Sequence, residues 1–231
     1  DPYLASRMVV PYITGLQSKG VSACVKHYAL NNDEEYRHQV NVIVDDRALH
    51  EIYLPAFKAA VEEAGSWAIM GAYNLYKDQH NCHNQWLLND ILKRDWKFDG
   101  VVVSDWGGTH DTDQAVKNGL DMEFGSWTNG LTMGASNAYD NYYLANPYLK
   151  GIKEGKYTIK ELDDKVRRIL RLYYRTGSVP LAFYVRIFIM QPQRRLPKRG
   201  SSCCRIRTMY CRLIYRMSGV FSLLARMLSS L

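Results

Sequence analysis

The stretch V-V-V-S-D-W, Val101–Trp106 following Gly100, decides how the rest of the chain is read. Three consecutive β-branched residues make a short apolar run of the kind buried on both faces of a parallel sheet. The run stops abruptly at Ser104-Asp105, so a carboxylate sits at the carboxyl end of a hidden strand. In barrels of alternating strands and helices that end carries the chemistry, which makes Asp105 a candidate catalytic group. The alternative is an Asp that caps a helix, with Gly107-Gly108-Thr109 beginning the turn.

Working outward, the same pattern of short apolar strand, polar exit and amphipathic helix recurs. Upstream, Val21–Tyr28 (V-S-A-C-V-K-H-Y) is a strand with Lys26 and His27 near its far end, and Trp67–Tyr73 (W-A-I-M-G-A-Y) is another with Asn74 at its exit. Helices are expected over 3–19, ending at Gly20, over Asp45–Ala64, and from about Asn84 (N-Q-W-L-L-N-D-I-L-K-R-D-W), with a polar loop at 75–83. Downstream, the pattern gives a short helix at Gln114–Asn118, a fourth strand at Gly119–Phe124, a Gly/Ser/Asn-rich loop at 125–138, and helices at about 139–153 and 158–175. Thr158 and Glu161 form a T-x-x-E capping box at the start of the last helix. Such repetition predicts parallel βα units. Four strands match half of an eight-stranded barrel and cannot close one.

Composition narrows the function. The 231 residues are 47% hydrophobic, which fits a globular chain. The net charge of +7 is unevenly spread: residues 1–179 hold 20 Lys and Arg against all 23 acids, a balance of −3, while residues 180–231 hold 10 basic residues and no acid. The body therefore offers no basic groove for nucleic acid. Five cysteines without a C-x-x-C pair support neither a disulfide framework nor a zinc site. In the tail, arginines interrupt every apolar run over residues 205–231, so no stretch of about 20 residues spans a bilayer. A basic surface helix is the alternative for this segment.

Taken together the strand exits are specific. K-H-Y-A-L-N-N-D-E-E-Y-R at 26–37, R-A-L-H-E-I-Y-L-P-A-F at 47–57, M-G-A-Y-N at 70–74, N-Q-W-L-L-N-D-I-L-K-R-D-W-K-F-D-G at 84–100 and V-V-S-D-W at 102–106 resemble glycoside hydrolase family 3, above all its β-glucosidases. The opening D-P-Y-L resembles the end of that family's G-E-D-P-Y-L segment, and the likeness covers about residues 1–179. It implies an α/β fold, a partial (β/α)8 TIM-like barrel truncated at both ends, followed by an aberrant basic tail at 180–231.

The resemblance implies that Asp105 is the nucleophile of a retaining mechanism, attacking the anomeric carbon to form a glycosyl-enzyme ester that water then displaces. It assigns Lys26 and His27 to hydroxyls of the sugar at the cleaved position, Met70 and Tyr73 to the lining of that subsite, and Trp106 to an aromatic wall. Each has a plainer reading: a Lys-His pair at a strand end is often an exposed edge, Met and Tyr there are often core filler, and Trp106 can be packing alone. Glu34, Glu35 and Arg37 read as a solvated loop. His110, Asp111 and Asp113 superficially suggest a metal cluster but lie where acids cap a short helix, and the chemistry requires no metal or cofactor.

A retaining glycosidase needs a second carboxyl group about 5 Å from the nucleophile. In the family's β-glucosidases that Glu comes from a following α/β sandwich domain, which the sequence after residue 179 does not resemble. The family's early barrel strands, with an Asp and an Arg for the sugar site, would precede Asp1. The A-L-N-N-D-E-E after Tyr28 departs from the Gly-rich loop of members that use a His-Asp pair, which disfavours an N-acetylglucosaminidase of that kind. Reading residues 203–230 one nucleotide earlier can encode a peptide resembling the opening of the family's second domain, so a frame shift between about Thr176 and Ile189 is expected. The expected function is cleavage of terminal β-D-glucosyl residues by the parent enzyme, with this segment alone inactive. A β-xylosidase or other exo-glycosidase of the same family, or a catalytically silent carbohydrate binder, is the rival. The expected partner is a β-glucoside or oligosaccharide, with neither nucleic acid nor a membrane span. The resemblance is compatible with a periplasmic or secreted parent, and the sequence leaves oligomeric state open.

Overall fold

The chain starts on helix α1, Pro2–Gln17, in a computed structural model that describes residues 1–125 and 138–178. Asp1 caps α1 by accepting hydrogen bonds from the amides of Tyr3 and Leu4, at 2.8 and 3.1 Å, an arrangement worth about 1 kcal/mol. Proline at the first helical position is tolerated because its missing N–H would have had no partner there. The helix buries Ile13 against Ala23 and Ala60.

Three strands form one parallel sheet. β1 is Cys24–Tyr28, β3 is Ala68–Gly71 and β6 is Val101–Val103, in the order β1-β3-β6. A second sheet joins β2 (Asn41–Val42), β4 (Leu75–Tyr76) and β5 (Gln79–His80), with β2 parallel to β4 and β4 antiparallel to β5. Every residue of β3 and β6 is buried, as continuous apolar runs in a parallel sheet require. Between them and the helices lies a core in which Tyr28, Leu49, Leu87, Leu88, Leu92, Val102 and Leu120 are fully shielded from water. Each large aliphatic side chain so buried contributes about 1.5–3 kcal/mol.

Several sequence expectations change in three dimensions. The single helix expected over Asp45–Ala64 is broken into α2 (Asp46–Ala48), a wide turn at Leu49–Tyr53 and α3 (Pro55–Glu62). Pro55 has no N–H to continue the ladder, and Leu54 N–H reaches back to Leu49 O at 3.0 Å instead. The helix from about Asn84 is likewise wound wide over Trp86–Asp95. The polar loop at 75–83 contains the β4-β5 hairpin and a turn of 3-10 helix at Asn81–His83. The helix expected from 139 begins later: residues 138–141 form a 3-10 turn, and Pro147 stands at the start of α5, Asn146–Lys153. The strand expected to start at Val21 starts at Cys24.

The fourth strand, Gly119–Phe124, lies along β6, bridged at Val103 to Met122 and joined by backbone bonds from the amides of Asp121 and Met122 to Val102 O at 2.9 and 3.0 Å and from Ser104 N–H to Met122 O at 2.9 Å. Two side chains add to these backbone bonds. Asp121 Oδ2 accepts Val102 N–H at 2.8 Å, and Ser104 Oγ accepts Phe124 N–H at 2.8 Å. The short helix expected at Gln114–Asn118 is α4, Thr112–Lys117. The loop expected at 125–138 falls largely outside the described residues, and the readings of 180–231, frame shift and surface helix alike, fall wholly outside them. No helix among the described residues is long and apolar enough to cross a membrane.

The near end of β6 is held by α6, Ile159–Arg175, which opens with the expected capping box between Thr158 and Glu161. Arg168 donates to the carbonyls of Phe98 and Gly100 at 2.9 and 3.0 Å, and Arg175 grips the Asp99 carboxylate with two bonds at 3.0 and 2.7 Å. The turn that launches β6 is thus fixed before the strand begins, and the strand's far end projects Asp105.

Candidate active site

Asp105 follows β6 by two residues and is 8% exposed. Its Oδ1 accepts the Trp106 amide at 2.7 Å, and its Oδ2 lies 3.1 Å from His27 Nε2. The backbone then turns, with Gly108 N–H bonded to Asp105 O at 3.0 Å. The next helix, α4, is capped by Asp111, whose side chain accepts Gln114 N–H at 2.7 Å. The Asp105 carboxylate is thereby left to face His27 and Tyr73.

His27 comes from the end of β1, within the stretch between Val25 and Tyr28 where the β1-β3 register slips. Lys26 beside it is exposed. Tyr73, just past β3, is buried and donates its hydroxyl to Trp106 O at 2.8 Å. Burial and then the Asp105 charge push its phenol up to about 12, so it stays a neutral donor. Trp106 is 54% exposed and stacks on Phe124, ring centres 5.2 Å apart. It therefore packs through one face while remaining accessible. Met70 is buried in an apolar cluster with Val101, Val103 and Ile169, so the observed neighbours of this residue are hydrocarbon.

Sequence reasoning placed Arg37 in a solvated loop with Glu34, to which it is indeed paired at 2.7 Å. Its guanidinium also lies 4.6 Å from the Tyr73 ring centre, and the His38 ring is 4.2 Å from the same ring. Tyr73 thus carries a cation and an imidazole on its aromatic surface, an arrangement with no local sequence signal.

Also missed were Cys82, His80 and His83, whereas His110 had been named only with Asp111 and Asp113. His80 and His110 stack with ring centres 3.8 Å apart, and His83 Nε2 accepts the His110 amide at 3.1 Å while its Nδ1 bonds Gln114 Oε1 at 3.0 Å. Burial lowers His83 to about 4, with His80 adding to the effect, and burial with the neighbouring imidazoles lowers His110 to about 4. The H-N-C-H run at 80–83 was the one signal available. Among the described residues no group of three or more His, Cys, Asp or Glu is arranged to hold a metal ion.

The profile described as the glycosyl hydrolase family 3 N terminal domain matches residues 1–172. The chain belongs to glycosyl hydrolase family 3. It is 57% identical over 177 residues to the β-glucosidase BoGH3A of Bacteroides ovatus, covering 77% of this chain and 24% of that protein. An exo-α-(1→6)-L-arabinopyranosidase of Bifidobacterium breve is 37% identical over 178 residues, 77% of this chain and 22% of its own length. Among solved structures, β-glucosidase 3B of Thermotoga neapolitana in complex with glucose superposes with a TM-score of 0.68 at 33% identity, covering 81% of this chain and 27% of that one. The chain therefore spans about a quarter of the length of these family 3 relatives.

Proposed function

We propose that residues 1–179 are part of the (β/α)8 barrel domain of a retaining exo-β-glycosidase, a β-glucosidase in the first instance, with residues 180–231 outside that domain. The observation that carries the reading is the Asp105 carboxylate, held at the exit of a buried strand by the Trp106 amide at 2.7 Å and His27 at 3.1 Å. Oδ1 is oriented by the Trp106 amide and Oδ2 lies beside His27 Nε2, and each carboxylate oxygen keeps a further lone pair with which it can reach carbon. In the first step an Asp105 oxygen bonds to C1 of the sugar as the bond from C1 to the leaving oxygen breaks, that oxygen taking a proton from a general acid supplied from outside the described residues. In the second, water attacks C1, the ester bond breaks, and Asp105 regains its charge while the acid residue, now the base, takes the water's proton.

Lys26 and His27 hold non-reacting hydroxyls in this scheme, Tyr73 lines the cleaved subsite, and Trp106, half-exposed and stacked on Phe124, offers the next sugar or aglycone a flat surface. Met70, buried among Val101, Val103 and Ile169, supports the strand that leads to Tyr73.

The test is covalent trapping. The chain, alone and spliced into the Bacteroides ovatus enzyme in place of its matching segment, is incubated with a 2-fluoro glucoside bearing a good leaving group and then digested for peptide mass analysis. The splice acquires one glycosyl group on the peptide containing Asp105, Asp105→Asn does not, and the chain alone turns over no aryl glucoside. A label on a different residue, or full activity in Asp105→Asn, refutes the assignment. The arabinopyranosidase relative supports a second reading in sugar choice. Aryl β-glucoside, β-xyloside and α-L-arabinopyranoside are compared on the same splice, since they differ in a hydroxymethyl group and in hydroxyl configuration and each difference acts on kcat/KM through transition-state binding.

A further inference from the structure

The side chain that meets the backbone N–H of Asp105 is a thiol. Cys82 Sγ accepts Asp105 N–H at 3.4 Å and donates to Ala72 O at 3.4 Å. It thereby ties the exit of β3 to the exit of β6 at the residue where the carboxylate leaves the sheet. Cys82 has no exposed surface, and burial pushes its thiol up to about 12, so it remains a protonated S–H that can donate and accept at once.

Two glycines make room for it. A Cβ placed on Gly71 would lie 2.7 Å from Cys82 Cα and 3.0 Å from its sulfur, and a Cβ on Gly108 would lie 2.6 Å from the sulfur. Gly71 is the last residue of β3 and Gly108 closes the turn onto Asp105 O. Sulfur, both glycines and the nucleophile's amide thus form one close-packed unit, and neither glycine has a positive φ that would by itself demand glycine. At Gly108 the sulfur itself takes the space, whereas at Gly71 the backbone of residue 82 takes it first, with Cα at 2.7 Å and N at 3.1 Å, and the sulfur lies beside them at 3.0 Å.

We infer that Cys82 is a positioning residue for Asp105, a thiol bridge that sets where the carboxylate emerges, and that Gly108 is small in order to admit its sulfur. This rests on the proposed role of Asp105 for its catalytic meaning, whereas the bridge itself is a statement about structure. Alanine at position 82 removes both bonds. Serine keeps a donor and an acceptor on a shorter arm, so it restores part of what alanine loses.

The bridge is read first without catalysis, in the full 231-residue chain labelled with 15N-aspartate, the Asp105 amide being the resonance lost in Asp105→Asn. Exchange of that amide with solvent rises about tenfold in Cys82→Ala, the equivalent of about 1.4 kcal/mol, and by less in Cys82→Ser. Gly108→Ala lowers the urea midpoint in the presence of Cys82 and lowers it far less in the Cys82→Ala background, because the collision partner has gone. In the splice with the Bacteroides enzyme, Cys82→Ala reduces kcat about tenfold with KM within about twofold, and Cys82→Ser recovers part of the loss. Unchanged Asp105 exchange in Cys82→Ala, or additive effects of the Gly108 and Cys82 changes, overturns the bridge. If both structural results appear and kcat is unchanged, the bridge stands and the positioning role is overturned. If the unsubstituted splice turns over no glycoside, the functional reading fails while exchange and the double variant still decide the bridge.

Discussion

Asp121→Asn is the substitution with the largest calculable effect on the strand beneath the candidate nucleophile. Asp121 has a fully buried side chain, with Oδ1 2.8 Å from Lys93 Nζ and Oδ2 2.8 Å from Val102 N. Two unit charges at that separation attract by about 6 kcal/mol at an effective dielectric constant of about 20. The pair also loses the hydration of both ions, several kcal/mol each, so its net worth is small while its loss is not. Asparagine keeps an acceptor for Val102 but presents no charge to Lys93, and its NH2 group faces an ammonium that can only donate. A buried cation without its counter-ion costs about 3–5 kcal/mol. With a urea slope of about 2 kcal/mol per molar, the unfolding midpoint of the chain at pH 7 falls by about 1.5–2.5 M, followed by tryptophan fluorescence. Burial already lowers the Lys93 pKa and Asp121 opposes that lowering, so Asp121→Asn lets Lys93 discharge sooner and the penalty shrinks as pH rises toward 10. Adding Lys93→Met recovers most of the loss. A midpoint shift below about 0.5 M at pH 7, or a penalty that does not diminish at high pH, refutes this account of the pair.

Two further outcomes follow from buried bases. His83 is 1% exposed and titrates at about 4 in the folded state against 6.5 in an open chain, so the unfolded chain binds the extra proton between those values. Stability from this residue is intact above about pH 6.5, falls as the pH drops, and is fully lost below about 4, a change of about 3 kcal/mol that His83→Gln removes from urea midpoints measured across that range. Lys165 is buried, donates to Ala115 O at 3.1 Å and to Leu120 O, and titrates at about 8 against 10.5. Here too the unfolded chain binds more protons between the two values, so stability climbs from about pH 8 to 10.5 by about 3 kcal/mol. Lys165→Met abolishes that part of the rise, and an unaltered profile would contradict the burial of this charge.

Periodicity and local chemistry made the framework readable in advance. V-V-V, W-A-I-M-G-A-Y and V-S-A-C-V-K-H-Y all contain strands of one parallel sheet, and Thr158 and Glu161 form the capping box that T-x-x-E announces. These succeed because a two-sided buried strand and a helix cap are each decided within a few residues. What failed was decided at a distance. Gly119–Phe124 does pair with β6 through Val102 O and Met122 O, but the Asp121 and Ser104 side chains that brace the pairing carry no signal in a strand pattern. The hairpin at 75–80 is held by β2, more than 30 residues upstream in sequence, in a sheet whose strands are two residues each. Within the candidate site, Asp105, His27, Tyr73 and Trp106 were named from motifs. The guanidinium over Tyr73, the thiol beneath Asp105 and the stacked imidazoles of His80 and His110 were not, since none of these contacts joins residues close in sequence.

That division bears on how so short a strand can aim a carboxylate. β6 has three residues, too few for its own ladder to fix a side chain to within tenths of an ångström. Its start is fixed by arginines 68 to 76 residues away in sequence, its middle by Asp121 through Val102 N–H, and its end by Cys82, His27 and the Tyr73 bond to Trp106 O. Each tie belongs to a different element, so no local distortion of β6 can relieve all of them together. Rigid placement of a reacting group is a large part of what a catalytic site supplies. Here it comes from crossed constraints on a minimal strand, and substitutions at Arg168, Asp121 or Cys82, which the proposed function gives no contact with sugar, should therefore act on kcat by moving Asp105 while leaving the groups that would bind hydroxyls in place.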